Sequence, residues 1–177
     1  MNHRLIGSGR RMSLRDHCIN IVLGLMCALP LLHDSDAAAA SLSRSVNVNA
    51  TASQVWSVIG PFCAIRDWHP VVGTCSQDAA NPPTRTLVTK DGTVTFVEPQ
   101  IARNESERFY TYTFRSSPFP VTHYMGTIWV VPNADNTSTV LWTGTYTPLA
   151  GKEQEAEADF AGVFDAGLAA LKTRFSH

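Results

Sequence analysis

Clustered positive charge is missing from this chain. Its 14 lysine and arginine side chains are scattered over 177 residues and face 15 acidic ones, for a formal net charge of −1. Phosphate backbones are bound by grouped cations, so nucleic acid is excluded as a partner. Also missing is an apolar run long enough to cross a bilayer, which takes about 20 residues. The best candidate, Ile19 to Leu32, is short and broken by Gly24 and Pro30, so no stable membrane span is expected. Nucleophile and cofactor signatures are absent too. Ser57, Ser76, Ser116 and Ser117 lack the G-x-S-x-G context, and there is no H-E-x-x-H, phosphate-binding glycine loop or dinucleotide fingerprint. No cofactor is expected. Nor is a metal, because neither Cys63 nor Cys75 stands in a C-x-x-C or C-x-x-H spacing.

What is present begins with an export signal. Residues 1–40 read as a basic n-region, an apolar stretch and the small-residue run Ala37 to Ala40, where cleavage is expected. The mature chain, 41–177, is one domain by length and is expected in the periplasm or outside the cell. Loss of the leader removes Cys18 and Cys27 and leaves Cys63 and Cys75. An even pair in an exported chain favours a disulfide. Eleven residues lie between the two, and closing such a loop contributes about 3 kcal/mol in the chain-entropy description. The alternative is a pair of buried thiols that never meet.

Along the mature chain, Arg44 to Val48 alternates as a strand and Thr51 or Ser53 caps a short helix, Ala52 to Ile59, stopped by Gly60-Pro61. A second short helix is expected from Cys63 to Trp68, before Pro70. Strands follow near Val71 to Gln77, Thr84 to Lys90, Thr93 to Ile101, Arg108 to Arg115, Thr122 to Val131 and Thr137 to Tyr146. Asp91-Gly92 and Asn133 to Asn136 are turn signals between them. From Glu153 to Phe175, the residues Phe160, Phe164, Leu168, Leu171 and Phe175 recur in steps of three and four, one face of a long helix with only the strands to pack on. The expected fold is α+β, with a curved antiparallel sheet of six to seven strands wrapped around the C-terminal helix. Gly126 and Gly144, midway in neighbouring strands, mark either a hollow in the sheet or an ordinary bulge.

Several residues occur in a telling order: Val55-Trp56, Asp67-Trp68-His69-Pro70, Arg85-Thr86-Leu87, Lys90-Asp91-Gly92, Glu98, Tyr112, Pro118 with Pro120-Val121, Tyr124, Trp142, and Gly167-Leu168 with Leu171-Lys172. Together they resemble the SRPBCC, or START-like, superfamily over roughly Ser43 to Leu171. Within it the chain is most similar to the polyketide cyclase/dehydrase and lipid-transport group, and more narrowly to exported MxaD-like proteins, named for an accessory protein of periplasmic methanol oxidation. The resemblance implies a helix-grip fold with a cavity, and an accessory role beside a periplasmic dehydrogenase. Pro99 departs from the pattern, since it removes a ladder donor where a strand should continue. The superfamily holds enzymes, carriers and receptors, so function has to come from the site.

The candidate ligand-binding residues are Trp68, His69, Arg85, Glu98, Tyr110, Tyr112, Tyr124, Trp142, Tyr146, Phe160 and Phe164. An aromatic wall carrying hydroxyl and indole donors orients a mostly apolar ligand; the same residues could equally be plain core. His69 is either a general base beside Asp67 or a helix-end histidine bonded to backbone. Glu98 shares a strand face with Val94 and Phe96, and its partner is Arg85. The pair sits either inward, holding a polar ligand group, or at the rim as a cross-strand salt bridge, and the rim is favoured. His123 faces away from Tyr124 unless a bulge intervenes. Two functions remain: a binder of a small apolar or amphipathic ligand without catalysis, or a cyclase or dehydratase using His69, Glu98 and Tyr124. A lipid shuttle would need an apolar lip, for which Phe119 is the one candidate.

Overall fold

The computed structural model describes residues 38–176. The expected leader therefore lies, but for its last three residues, outside the described residues. The chain begins with strand β1 (Ala40–Val48) and helix α1 (Ala52–Ile59). Helix α1 opens on a reciprocal capping box: the Gln54 backbone N–H donates to the Thr51 hydroxyl at 3.4 Å, and the Thr51 N–H donates to Gln54 Oε1 at 2.9 Å. A one-turn helix α2 (Ile65–Trp68) follows, shorter than the expected span because Cys63 and Ala64 form only the turn leading into it. Next come β2 (Val72–Gln77), β3 (Thr84–Thr89), β4 (Thr95–Asn104), β5 (Phe109–Thr113), β6 (Val121–Pro132) and β7 (Ser138–Pro148), then the long helix α3 (Glu153–Arg174).

All strand pairs are antiparallel, in the order β1-β7-β6-β5-β4-β3-β2. The sheet curves around α3 in a helix-grip fold. Helix α3 is written into the sequence at both ends: Glu153 and Glu155 lie in its first turn, Lys172 and Arg174 in its last, each sign complementing the helix dipole. Its buried face is Ala156, Phe160, Phe164, Gly167, Leu168 and Leu171. Each large apolar side chain on that face stabilises the fold by roughly 1.5–3 kcal/mol, which is what holds the helix in the sheet. Phe175 falls just past the last turn, half-buried, and its carbonyl accepts the Asn49 N–H at 3.2 Å.

Pro99 does not end its strand. Up to Pro99, β4 pairs with β3; from Gln100 it pairs with β5, so the missing donor falls at the handover between partners. Gln100 continues the ladder by donating to the Pro83 carbonyl at 2.9 Å. On the inner face of β5, β6 and β7, Tyr110, Tyr112, Tyr124, Ile128, Val130, Trp142 and Tyr146 are buried, while Phe114 is half-buried. A register shift between Thr122 and Met125, with His123 at φ 53°, supplies the bulge that leaves His123 exposed and turns Tyr124 inward. Cys63 and Cys75 form a disulfide, with 5.5 Å between their Cα atoms.

Candidate functional site

Between α3, the α2–β2 corner and the curled β2–β6 part of the sheet lies a cavity of about 50 Å³. Roughly 10–15 Å³ on this measure admits one water, whereas drug-sized ligand sites run to about 300–1,000 Å³. The space therefore holds a few waters or one small fragment, and anything larger must displace a wall residue. Of the expected binding residues, His69, Arg85, Glu98, Tyr112, Tyr124, Trp142, Phe160 and Phe164 line it. Trp68, Tyr110 and Tyr146 do not. Trp68 packs edge-on against His69 and Trp142; Tyr110 packs edge-on against Phe62 and tilted against Trp56, and Tyr146 is tilted against Phe160. They form the layer behind the wall.

Sequence reasoning left out much of the apolar lining, above all Leu87, Val72 and Val163 from β3, β2 and α3. Phe96 and Phe119 were within reach, the first through its alternation with Glu98 and the second as an apolar residue between two prolines. Phe119 packs edge-on against Phe96 and Phe160, at 5.2 and 5.1 Å between ring centres, and stays half-buried.

The Arg85–Glu98 pair is a correction to the rim expectation. The two residues are directly opposite in β3 and β4, and both are buried, with 0% and 4% exposure. Arg85 Nε donates to Glu98 Oε2 at 2.6 Å, and Nη1 donates to the Phe62 carbonyl at 2.5 Å. The guanidinium also lies 4.1 Å from the centre of the Phe62 ring and 5.0 Å from that of Tyr112. Alternation placed the two residues on one face but could not say how far the sheet curls over them. Burial lifts the Glu98 carboxyl above its ordinary value, and Arg85 holds it back. Burial works against the guanidinium charge as well, but the paired Glu98 carboxylate outweighs it and keeps Arg85 firmly protonated.

His69 is wired to backbone on both sides. Its Nδ1 lies 3.3 Å from the Val71 nitrogen, which can only donate, and its Nε2 lies 3.0 Å from the Val163 carbonyl on α3, which can only accept. The ring is thus neutral, with its proton on Nε2. Burial lowers its pKa below 6.5, the charges of Arg85 and Lys90 add to this, and the Val163 carbonyl works against it. Gly167 makes the contact possible: a Cβ there would come within 2.7 Å of His69 Cδ2 and 2.8 Å of Trp142 Cζ3.

Gly126 and Gly144 mark a hollow, and aromatic rings fill it. A Cβ on Gly126 would lie 2.3 Å from the Tyr124 hydroxyl and 2.7 Å from Tyr112 Cζ; on Gly144 it would meet Phe164 and Tyr124 at 3.2 Å. Over this hollow runs a short chain of donors. Trp142 Nε1 donates to the Tyr112 hydroxyl at 3.0 Å, which lies 3.0 Å from the Tyr124 hydroxyl. Burial raises the pKa of both tyrosines, so both remain neutral. Among the described residues, no group of three or more His, Cys, Asp or Glu is placed to hold a metal, and no helix is long and apolar enough to cross a membrane.

An antiparallel sheet closed on one long helix, with a small cavity of aromatic rings and a buried ion pair between them, defines a helix-grip domain of the SRPBCC superfamily. The chain belongs to the family described as polyketide cyclase/dehydrase and lipid transport, which it matches over residues 39–176. Among solved structures it is similar to XoxI from Bacillus cereus, with 36% identity, a TM-score of 0.72, and coverage of 77% of this chain and 95% of that one. A protein of Bacillus thuringiensis is alike at 36% identity and a TM-score of 0.73, covering 78% and 100% of the two chains. The Zhui aromatase/cyclase of a Streptomyces species, at 16% identity and a TM-score of 0.63 over 78% of this chain and 94% of its own, shares the fold. No curated protein matches the sequence significantly.

Proposed function

We propose that the protein binds one small, apolar or amphipathic molecule between α3 and the sheet and performs no reaction on it. We further propose that it does so in the periplasm, after loss of residues 1–40, as an accessory to a periplasmic oxidation system and its dehydrogenase. The observation that carries the non-catalytic reading is the wiring of His69. Both ring nitrogens are engaged by backbone and burial disfavours the imidazolium, so the one histidine on the wall has no free site with which to take a proton from a ligand. The accessory role and the periplasmic setting rest on the export-like leader and on the resemblance to MxaD-like proteins, to which the 36% identity with XoxI adds support.

The cyclase or dehydratase alternative keeps one observation in its favour: His69, Glu98 and Tyr124 do line the same cavity. Native mass spectrometry of the protein purified from its own host, followed by denaturing release, separates the two readings. A bound small molecule recovered unchanged after prolonged incubation is expected. Conversion of that molecule, lost on His69→Ala, would establish the enzyme instead. Fractionation of the host, with the amino terminus of the purified protein sequenced, tests export.

A further inference from the structure

The cavity wall is electrically balanced but not fully hydrogen-bonded. Its charges are Arg85 and Glu98, joined at 2.6 Å and cancelling each other; His69 and the tyrosines are neutral. A full charge brought into so small a space would lose its hydration and gain no unpaired counter-charge. The spare polar capacity can be counted. The Tyr112 and Tyr124 hydroxyls hold two protons between them and one bridges the pair, while Trp142 supplies its own proton to Tyr112. One hydroxyl proton is therefore left without an acceptor among the described residues. On Glu98, Oε2 is taken by Arg85, whereas Oε1 accepts no hydrogen bond among the described residues, and the side chain keeps 6% of its exposure. Arg85 Nη2 is likewise buried without a partner, so the residues of this small cavity's wall offer spare donors on the tyrosine pair and on Arg85 and one spare acceptor on Glu98.

We infer that Glu98 together with the Tyr112–Tyr124 pair forms a subsite for a single uncharged hydroxyl group on an otherwise apolar, ring-sized ligand. A hydroxyl matches the inventory: its oxygen accepts the spare tyrosine proton and its proton goes to Glu98 Oε1. A carboxylate supplies no donor and adds a second negative charge beside Glu98; an ammonium cannot accept. The inference rests on the binding reading above and deepens it.

The test uses five single-ring probes on the intact protein: benzyl alcohol, benzyl methyl ether, toluene, benzoate and benzylammonium. Affinity comes from calorimetry, and the site is reported by the NMR shift of the Trp142 indole N–H, which is bonded to Tyr112. Benzyl alcohol is expected to bind about tenfold tighter than toluene, with the ether between them and the two ions unbound at tenfold higher concentration. Glu98→Gln keeps an oxygen for Arg85 but leaves the site positive, so benzoate binding should appear or strengthen more than tenfold. Equal affinity for the three neutral probes would overturn the hydroxyl subsite and leave the apolar cavity standing. Benzoate bound best by the unaltered protein would overturn the charge argument. No probe bound by a folded protein would overturn the binding reading and the subsite with it.

Discussion

Two ends of one cavity use the same kinds of residue to opposite effect. At the α3 end His69 is bonded on both nitrogens to the backbone of Val71 and Val163, so its polar capacity is spent on fastening the helix to the α2–β2 corner. At the sheet end Glu98, Tyr112 and Tyr124 are bonded to one another's neighbours yet keep one donor and one acceptor over. Residue type alone would have chosen His69 as the reactive group. Leftover hydrogen-bonding capacity distinguishes a group that holds the fold from one that is open to a ligand.

The largest expected effect strikes the sheet end. Arg85→Ala leaves Glu98 buried without its partner and should cost about 3–5 kcal/mol in denaturant unfolding. A loss below about 1 kcal/mol would mean the pair is hydrated, and with it the contrast between a charged, enclosed end and a neutral one would fail. Next is reduction of the Cys63–Cys75 bridge, which ties the residue after Phe62 to β2 while the Phe62 carbonyl accepts from Arg85. Verified reduction should lower stability by about 3 kcal/mol; an unchanged melting temperature would show that the loop is held without it.

At the α3 end, His69→Ala should cost about 1–3 kcal/mol while leaving affinity for the neutral probes within about twofold. Comparable losses in stability and affinity would erase the division of roles. The pH dependence sharpens the point. Because burial puts the folded pKa of His69 below the ordinary 6.5, the unfolded chain binds more protons as the pH falls below 6.5. Stability should therefore decline in that window, at up to about 1.4 kcal/mol per pH unit, and the slope contributed by His69 should vanish in the alanine variant. Gly126→Ala should cost a comparable amount, about 1–3 kcal/mol, from crowding the two tyrosine rings. It should be accompanied by a displaced Trp142 indole resonance and weaker probe binding; Gly144→Ala, with its looser contacts, should do less of both.

The fold was legible where one periodicity had one interpretation. The spacing of Phe160, Phe164, Leu168 and Leu171 defined the buried face of α3, and Thr51 was one of two candidates, with Ser53, for the cap that opens α1. The candidate site was legible only as a face. Alternation put Arg85 and Glu98 together without their depth, because depth depends on how the β2–β4 part of the sheet bends over α2 and α3. It could not separate Tyr112, on the wall, from Tyr110, two residues away and behind it. The partner that disarms His69 is a backbone carbonyl 94 positions along the chain, and a backbone atom leaves no mark in the sequence. At Gly126 the sequence left a hollow and an ordinary bulge equally open; that it is a hollow, and that Tyr112 and Tyr124 fill it, followed only from the rings' placement.

The contrast between the two ends is tested most directly by long-range proton–nitrogen NMR of the His69 ring, followed through a pH titration with and without benzyl alcohol. A single Nε2-protonated neutral tautomer is expected, titrating below 6.5 if at all, with its shifts nearly unchanged by the probe while the Trp142 indole N–H moves. A ring that titrates near its ordinary value and responds to the probe as strongly as Trp142 would contradict a structural His69 and restore it as the acting base.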